Sequence, residues 1–166
     1  TNLPGIKGRV TLYEIEDINF SSEEEKENEK IEDNVLWSKC AEINTFEKEE
    51  QQVFKVKRED ILVVKIDDNF FALNDKCPHA YLSLQGSDID MKNETIACRW
   101  HKSSFCYKTG EVKEWMKISN FQKMLGKIGL NAEAQEISQM EKIPVDIYKT
   151  KIEDGFVWVG VNQGLE

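Results

Sequence analysis

The residues of this chain that are best suited to chemistry are two cysteine–histidine pairs in one short stretch. Cys77 and His79 are separated by one residue, Cys98 and His101 by two, and eighteen residues lie between the pairs. Thiolates and neutral imidazoles are common ligands of transition metals. The chain has no other histidine. The stretch from residue 77 to 105 is therefore the candidate functional site.

The spacing within each pair favours a group of two metals over a single ion. In Cys-x-His the two side chains lie two residues apart on an extended loop, so they reach two neighbouring irons more easily than one small ion. A tetrahedral zinc site usually has Cys-x₂₋₄-Cys and His-x₃₋₅-His spacing, and neither is present. One thiolate and one imidazole from each loop suit a [2Fe–2S] cluster. A zinc site and unligated structural residues are the alternatives.

Length, charge and hydropathy exclude several classes of protein. The chain has 166 residues and 40% hydrophobic content, which is enough for one domain with a core. Its net charge of −9 disfavours a nucleic-acid partner, because phosphate binding requires a basic surface. No apolar run approaches the roughly eighteen residues that span a bilayer, so no transmembrane segment is expected. Metal ligation by cysteine requires reduced thiols, which predicts an intracellular, reducing compartment.

The order of strand and turn patterns predicts an all-β domain that positions these loops. Residues 1–34 include the charge run SSEEEKENEK and are predicted to be an acidic, partly flexible N-terminal extension. From 35 to 166, short β-branched and aromatic runs alternate with turn residues, which is typical of a small sandwich or barrel. The nearly continuous run ILVVKI at 61–66 predicts a strand buried on both faces. Residues 116–142 have a helical period, which predicts a short helical insertion between strands.

Three residues outside the site are expected in the hydrophobic core. Trp37 lies in the first predicted strand, and its large side chain is expected to fill the core. Cys40 and Cys106 also lie in strand patterns, and a free cysteine in such a place is usually a small buried hydrophobe. We therefore do not expect either cysteine to be a metal ligand.

The stretch resembles the Rieske [2Fe–2S] proteins. Their pattern is roughly Cys-Pro-His-x-Gly-x-x-Leu, then Cys-Pro-Trp-His-Gly and later a Thr-Gly turn, and this chain reads CPHAYLSL, CRWH and FCYKTGEV. The resemblance covers about residues 35–161 and implies a Rieske-type antiparallel β-sandwich with a cluster-binding subdomain at one end. It also implies that Cys77 and Cys98 bind one iron, and that His79 and His101 bind the other.

The residues around the ligands predict a subtype of low potential. The disulfide of the quinol–cytochrome Rieske subunits would need cysteines at Leu82 and Trp100, so it is absent. Phe105 aligns with their tyrosine that hydrogen-bonds a cysteine sulfur, whereas Ser103 keeps the position of their serine. Fewer hydrogen bonds to the sulfurs leave the reduced cluster less stabilised. We therefore predict a ferredoxin-like site with a potential of about −150 mV.

Two positions depart from the family pattern. Tyr81 and Lys102 stand where glycine is usual. A glycine there permits a positive φ, so we expect either a different loop path or a less sheltered, less stable cluster. Pro78 fixes its own φ and is expected to stiffen the first loop. Trp100 is expected to pack as a wall beside the second loop.

The function that the resemblance implies is electron transfer. Such a carrier is not itself an enzyme, since it takes one electron from a reductase and passes it to an acceptor protein. The chain lacks a third histidine for the mononuclear iron of an oxygenase domain. The alternative is a subunit or assembly factor of a larger redox complex, such as an oxygenase, a nitrite reductase or a plastid complex. The closing pattern EDGFVWVGV, with TGEVKEW before it, is similar to plastid and cyanobacterial Rieske-like proteins, which predicts the plastid stroma or the cytoplasm.

Overall fold

Two antiparallel sheets form the fold. A computed structural model describes residues 27–78, 81–100, 102–115 and 141–164. In these residues the large sheet has the order β1-β2-β11-β10-β5-β4-β3, and the small sheet has the order β6-β7-β8-β9. The strands are β1 (Glu29–Glu32), β2 (Val35–Glu42), β3 (Gln51–Val56), β4 (Glu59–Ile66), β5 (Asn69–Asn74), β6 (Asp88–Asp90), β7 (Thr95–Ala97), β8 (Ser104–Cys106), β9 (Val112–Glu114), β10 (Ile147–Glu153) and β11 (Phe156–Asn162), and a 3-10 helix (Ile43–Glu47) follows β2. The predicted all-β fold is confirmed.

Two predicted segments lie mainly outside the described residues. The N-terminal extension, 1–34, is described only from residue 27, and the helical insertion, 116–142, only at residues 141 and 142. Within the extension, β1 pairs with β2, so the boundary predicted between residues 34 and 35 falls inside one hairpin. In the part of the chain that the structure describes, no helix has the length and apolar character of a membrane span.

Tight turns join neighbouring strands of the large sheet. Asp33 and Asn34, between β1 and β2, have φ values of 50° and 61°, and Asp154 and Gly155, between β10 and β11, have values of 52° and 79°. Two successive positive φ values give a turn whose twist matches that of a hairpin. Asn, Asp and Gly are the residues that tolerate this conformation best. The residue types at these turns therefore determine where the strands reverse.

Strand β4 is buried on both faces and contributes to both hydrophobic cores. On one face Ile61 and Val63 belong to a buried cluster that we call the sheet core. This cluster also holds residues of β3, β5 and β11, so the large sheet curls around it. On the other face Leu62 and Val64 belong to a second buried cluster, which we call the loop core and which includes residues of β7 and β8 of the small sheet. All four side chains are at most 1% exposed. The predicted burial of this strand on both faces is confirmed.

Trp37 does not lie in the core, so the prediction for this residue was wrong. It is half-buried on the outer face of β2, with the Nζ of Lys151 4.4 Å from its ring centroid. Lys30 and Lys151 both contact the carboxylates of Glu32 and Glu153, so four alternating charges cross β1 and β10 on this face. Successive side chains of a strand point to opposite faces, and both neighbours of Trp37 are buried. The tryptophan is therefore placed outward and is covered by lysine.

Val145, which precedes β10, contacts the turn between β8 and β9 of the small sheet at Gly110. Val145 is buried, and its N–H donates to the carbonyl of Gly110 at 3.0 Å. Gly110 has a φ of 77°, and a Cβ at this position would lie 2.0 Å from the carbonyl oxygen of Val145. Only glycine combines this conformation with so close an approach of backbone.

We expect Gly110→Ala to lower the free energy of unfolding by about 3 kcal/mol, because it adds a steric clash to the cost of a positive φ. Gly155→Ala is the matched control, since Gly155 has a φ of 79° but no atom within 4 Å of the added Cβ. The control should lose only about 1 kcal/mol. Urea unfolding of both variants measures the difference, and equal losses would contradict the contact with Val145.

Candidate metal centre

Cys77 and Cys98 lie together in the loop core, where the two sheets meet. Both are fully buried, and they share this core with Leu84 and Phe105. Cys77 comes shortly after β5 of the large sheet, and Cys98 comes directly after β7 of the small sheet. The structure therefore brings together two of the four predicted ligands. The other two, His79 and His101, lie outside the described residues.

The two cysteine loops have the same backbone hydrogen bonds. In each loop the cysteine N–H donates to the carbonyl five residues later, and the cysteine carbonyl accepts from the N–H four residues later. Each loop is thus closed on its own cysteine, and two soft sulfur donors are presented in equivalent backbone settings. The pattern fits a group that is held from both sides. The bonds are Cys77 N to Leu82 O at 2.8 Å, Tyr81 N to Cys77 O at 2.7 Å, Cys98 N to Ser103 O at 2.8 Å and Lys102 N to Cys98 O at 2.8 Å.

The residue that closes each loop has a left-handed backbone. Tyr81 has a φ of 55° and Lys102 a φ of 60°. For residues other than glycine this conformation costs roughly 1–2 kcal/mol. Both loops therefore keep the positive φ that glycine would permit, and the cost falls on the two substituted residues. Their side chains point to solvent, since Tyr81 is 73% exposed and Lys102 forms an exposed ion pair with Asp88 at 3.1 Å.

A third loop closes on Cys106 in the same way, and there the left-handed residue is glycine. Cys106 N donates to Glu111 O at 2.8 Å, and Gly110 N donates to Cys106 O at 2.7 Å. Burial raises the pKa of the Cys106 thiol, but hydrogen bonds from Thr109 and from the N–H of Lys108 outweigh this and lower the pKa. Cys106 is nevertheless buried, as predicted, and it is not part of the loop core.

Cys40 lies on β2, outside the loop core, and is half-buried. Burial raises the pKa of its thiol to about 12. A thiol with so high a pKa is a poor metal ligand and a poor nucleophile at neutral pH. Cys40 was predicted to be a small buried hydrophobe, and it packs against the sheet core but is only partly buried.

The remaining predicted site residues line the loops to different extents. Ser103 and Phe105 are fully buried, and the phenyl ring of Phe105 packs in the loop core. Pro78 is half-buried beside Cys77. Trp100 is 53% exposed, with the guanidinium carbon of Arg99 4.8 Å from its ring centroid. Trp100 thus packs against the neighbouring Arg99, and its predicted role as a wall beside the cluster loop stays a prediction.

Two residues that sequence reasoning missed fix the base of the Cys77 loop. Asp75 is 7% exposed, and its Oδ1 accepts the N–H of Gln85 at 3.0 Å. Gln51 on β3 accepts the N–H of Gly86 and donates to the carbonyl of Ser87, both at 2.8 Å. Gln51 lies 35 residues before Gly86 in the chain, so no local pattern indicates this contact.

Comparisons with known proteins agree with this geometry. A family model described as the Rieske [2Fe–2S] domain matches residues 36–125, more than half of the chain. The 3-phenylpropionate/cinnamic acid dioxygenase ferredoxin subunit of Photorhabdus laumondii is 36% identical over 52 residues, which are 31% of this chain and 49% of that protein. The biphenyl dioxygenase ferredoxin subunit of a Pseudomonas species is 35% identical over 54 residues, which are 32% of this chain and 48% of that protein. This chain spans about half the length of the curated relatives it matches.

Solved structures show the same fold. The ferredoxin of carbazole 1,9a-dioxygenase from Nocardioides aromaticivorans has a TM-score of 0.55 and 17% identity, and the match covers 74% of this chain and 95% of that chain. A putative nitrite reductase small subunit has a TM-score of 0.52 and 13% identity, and the match covers 74% and 96%. At these identities the likeness concerns the fold alone, and it confirms the Rieske-type antiparallel β-sandwich.

We expect Tyr81→Gly to raise the free energy of unfolding by about 0.5–1 kcal/mol, because relief of the left-handed strain exceeds the entropy that glycine adds to the unfolded chain. Lys102→Gly should gain less, since it also removes the exposed pair with Asp88. Tyr81→Ala is the control, because alanine removes the side chain and keeps the strain. Melting curves of the purified proteins test this, and a loss of stability in Tyr81→Gly as large as that in Tyr81→Ala would refute the strain.

Proposed function

This chain belongs to the Rieske [2Fe–2S] domain family, and we propose that it is an electron carrier that holds one [2Fe–2S] cluster. One observation carries the proposal: Cys77 and Cys98 are both fully buried in the loop core, each in a loop closed by the same two hydrogen bonds. When bound, such a cluster supplies reversible one-electron chemistry. The chain itself supplies the ligands, the shelter from water and the docking surface, and it is not catalytic.

We assign Cys77 and Cys98 to one iron and His79 and His101 to the other. Each histidine is placed by sequence inside the segment that one hydrogen bond closes: His79 lies between Cys77 and Tyr81, and His101 directly precedes Lys102. The thiolates of Cys77 and Cys98, buried in the loop core, suit a cluster that is sheltered from water on that side.

The surroundings of the cysteines support a low potential. Phe105 is fully buried in the loop core and carries no hydroxyl to donate to a sulfur. Leu82 and Trp100 carry no thiols, so no disulfide joins the two loop tips. The positive charge of Lys102 is offset by its pair with Asp88. A site of this kind should have a potential of about −150 mV, near the lower end of the range for such centres.

The partners we propose are a reductase and an acceptor on other chains. Two of the relatives named above are ferredoxin subunits of dioxygenases, which supports a terminal oxygenase as the acceptor. Cysteine ligands require reduced thiols, so we place the protein in a reducing compartment, the cytoplasm or the plastid stroma.

The ligand set is tested by anaerobic purification, metal and sulfide analysis, and electron paramagnetic resonance of the reduced protein. We expect a [2Fe–2S] signal that is lost in Cys98→Ser and retained in Cys106→Ser, because both cysteines lie in loops of the same closure but only Cys98 is assigned as a ligand. His79→Cys and His101→Cys should change the g-values and lower the potential. Bound zinc, or g-values that neither histidine substitution changes, would refute the assignment.

The predicted potential is tested by a redox titration of the wild-type protein and of Phe105→Tyr. We expect about −150 mV for the wild type and a more positive value for the variant, whose hydroxyl adds a donor near the cysteine sulfurs. Phe71→Tyr is the control, because Phe71 packs at the edge of the same core with its ring 4.8 Å from that of Tyr107. A wild-type potential above about +100 mV would overturn the argument from missing hydrogen bonds.

A further inference from the structure

Asp75 is a buried carboxylate beside the proposed cluster ligand Cys77. It is 7% exposed, and among the described residues no other Asp or Glu is buried. It forms no ion pair with any residue in the described part of the chain. Burying a charge without a counter-charge is costly unless hydrogen bonds compensate for the lost water. A residue of this kind, two positions from a ligand, therefore needs an explanation in terms of the site.

The hydrogen bonds of Asp75 join three segments. Its N–H donates to the carbonyl of Asp60 at 2.8 Å, which fixes it to the start of β4. Its carbonyl accepts the N–H of Leu84 at 2.6 Å, and its Oδ1 accepts the N–H of Gln85 at 3.0 Å. The carboxylate thus connects the residue that enters the Cys77 loop to the residues that leave it.

These bonds belong to a short antiparallel neck beneath the loop. Lys76 and Ser83 form an isolated β-bridge, and Cys77 N donates to Leu82 O at 2.8 Å. The neck therefore runs from the carboxylate of Asp75 up to the ligand itself. A shift at its base would move Cys77 relative to the loop core.

Gln51 holds the same base without bringing a charge. Its side-chain amide bonds to Gly86 and Ser87, both at 2.8 Å, and ties the neck to β3. Asp75 and Gln51 therefore both position the Cys77 loop, and only Asp75 adds an electrostatic effect. This difference allows the two contributions to be separated by mutation.

We propose that Asp75 positions the Cys77 loop and that its buried carboxylate lowers the reduction potential of the cluster held there. The inference rests on the proposed function. Reduction adds one negative charge to the cluster, and a carboxylate removed from water and without a paired cation is weakly screened. It therefore disfavours the reduced form. Replacing it by a neutral isostere should raise the potential.

The experiment compares Asp75→Asn with Asp68→Asn at one neutral pH and one ionic strength. The amide introduced by Asp75→Asn would keep an oxygen that accepts from Gln85, whereas Asp68→Asn makes the same charge change in the exposed turn at the other end of β5. In Asp75→Asn we expect the equilibrium constant for reduction to rise about tenfold, which is ~59 mV for one electron. The control should change it less than twofold. If Asp75→Asn does not retain iron, Asp75→Ser, another uncharged acceptor, tests the same sign.

The role of these side chains in positioning the Cys77 loop is tested separately with Gln51→Ala and Asp75→Ala. We expect both to speed the loss of visible absorbance on heating and to increase hydrogen exchange of residues 82–87, while Gln51→Ala, which removes no charge, changes the potential much less than Asp75→Asn does. Asp75→Asn and Asp68→Asn with equal potentials would overturn the electrostatic effect. Wild-type exchange and absorbance loss in Asp75→Ala would overturn the positioning role. A wild-type protein without a [2Fe–2S] signal would instead refute the proposed function, before any variant is compared.

Discussion

In each cysteine loop, the N–H of the residue four positions after the cysteine donates to the cysteine carbonyl, and the site depends on this closure. The bond requires a positive φ at that residue, and the chain meets the requirement with Gly110 in one loop and with Tyr81 and Lys102 in the other two. The loop geometry therefore does not need glycine, because neighbouring structure supplies the free energy that the strained residue costs. Exposed side chains at such positions are available for contacts that glycine could not make.

The buried packing of β4 is one source of that stabilising free energy. One face of β4 packs in the sheet core and the other in the loop core, so the same strand packs in the core that holds the cysteines. Asp75 and Gln51 then connect this rigid sheet to the base of the Cys77 loop. The Cys98 loop needs no such tethers, because it directly joins β7 to β8, which pair up to Ala97 and Ser104.

Patterns of short range could be predicted from the sequence, and contacts of long range could not. The cysteine loops, the two-sided burial of ILVVKI and the antiparallel fold follow from spacing, composition and turn residues, all of which are local. Trp37 was misplaced because a large apolar side chain says nothing about which face of its strand it occupies, and Lys151 covers it from β10. Gln51 and Asp75 were missed because their partners are backbone groups, which leave no mark on residue type.

The two loops are alike in closure but stand on different sheets, and this decides what holds Cys77 and Cys98 at their mutual distance. The loop core in which both cysteines pack contains Leu62 and Val64 from the large sheet and Ile96 and Phe105 from the small one. Apolar packing resists compression, but it is not directional. A metal group bound to both cysteines would add that directional link, so its binding would contribute to folding as well as to function.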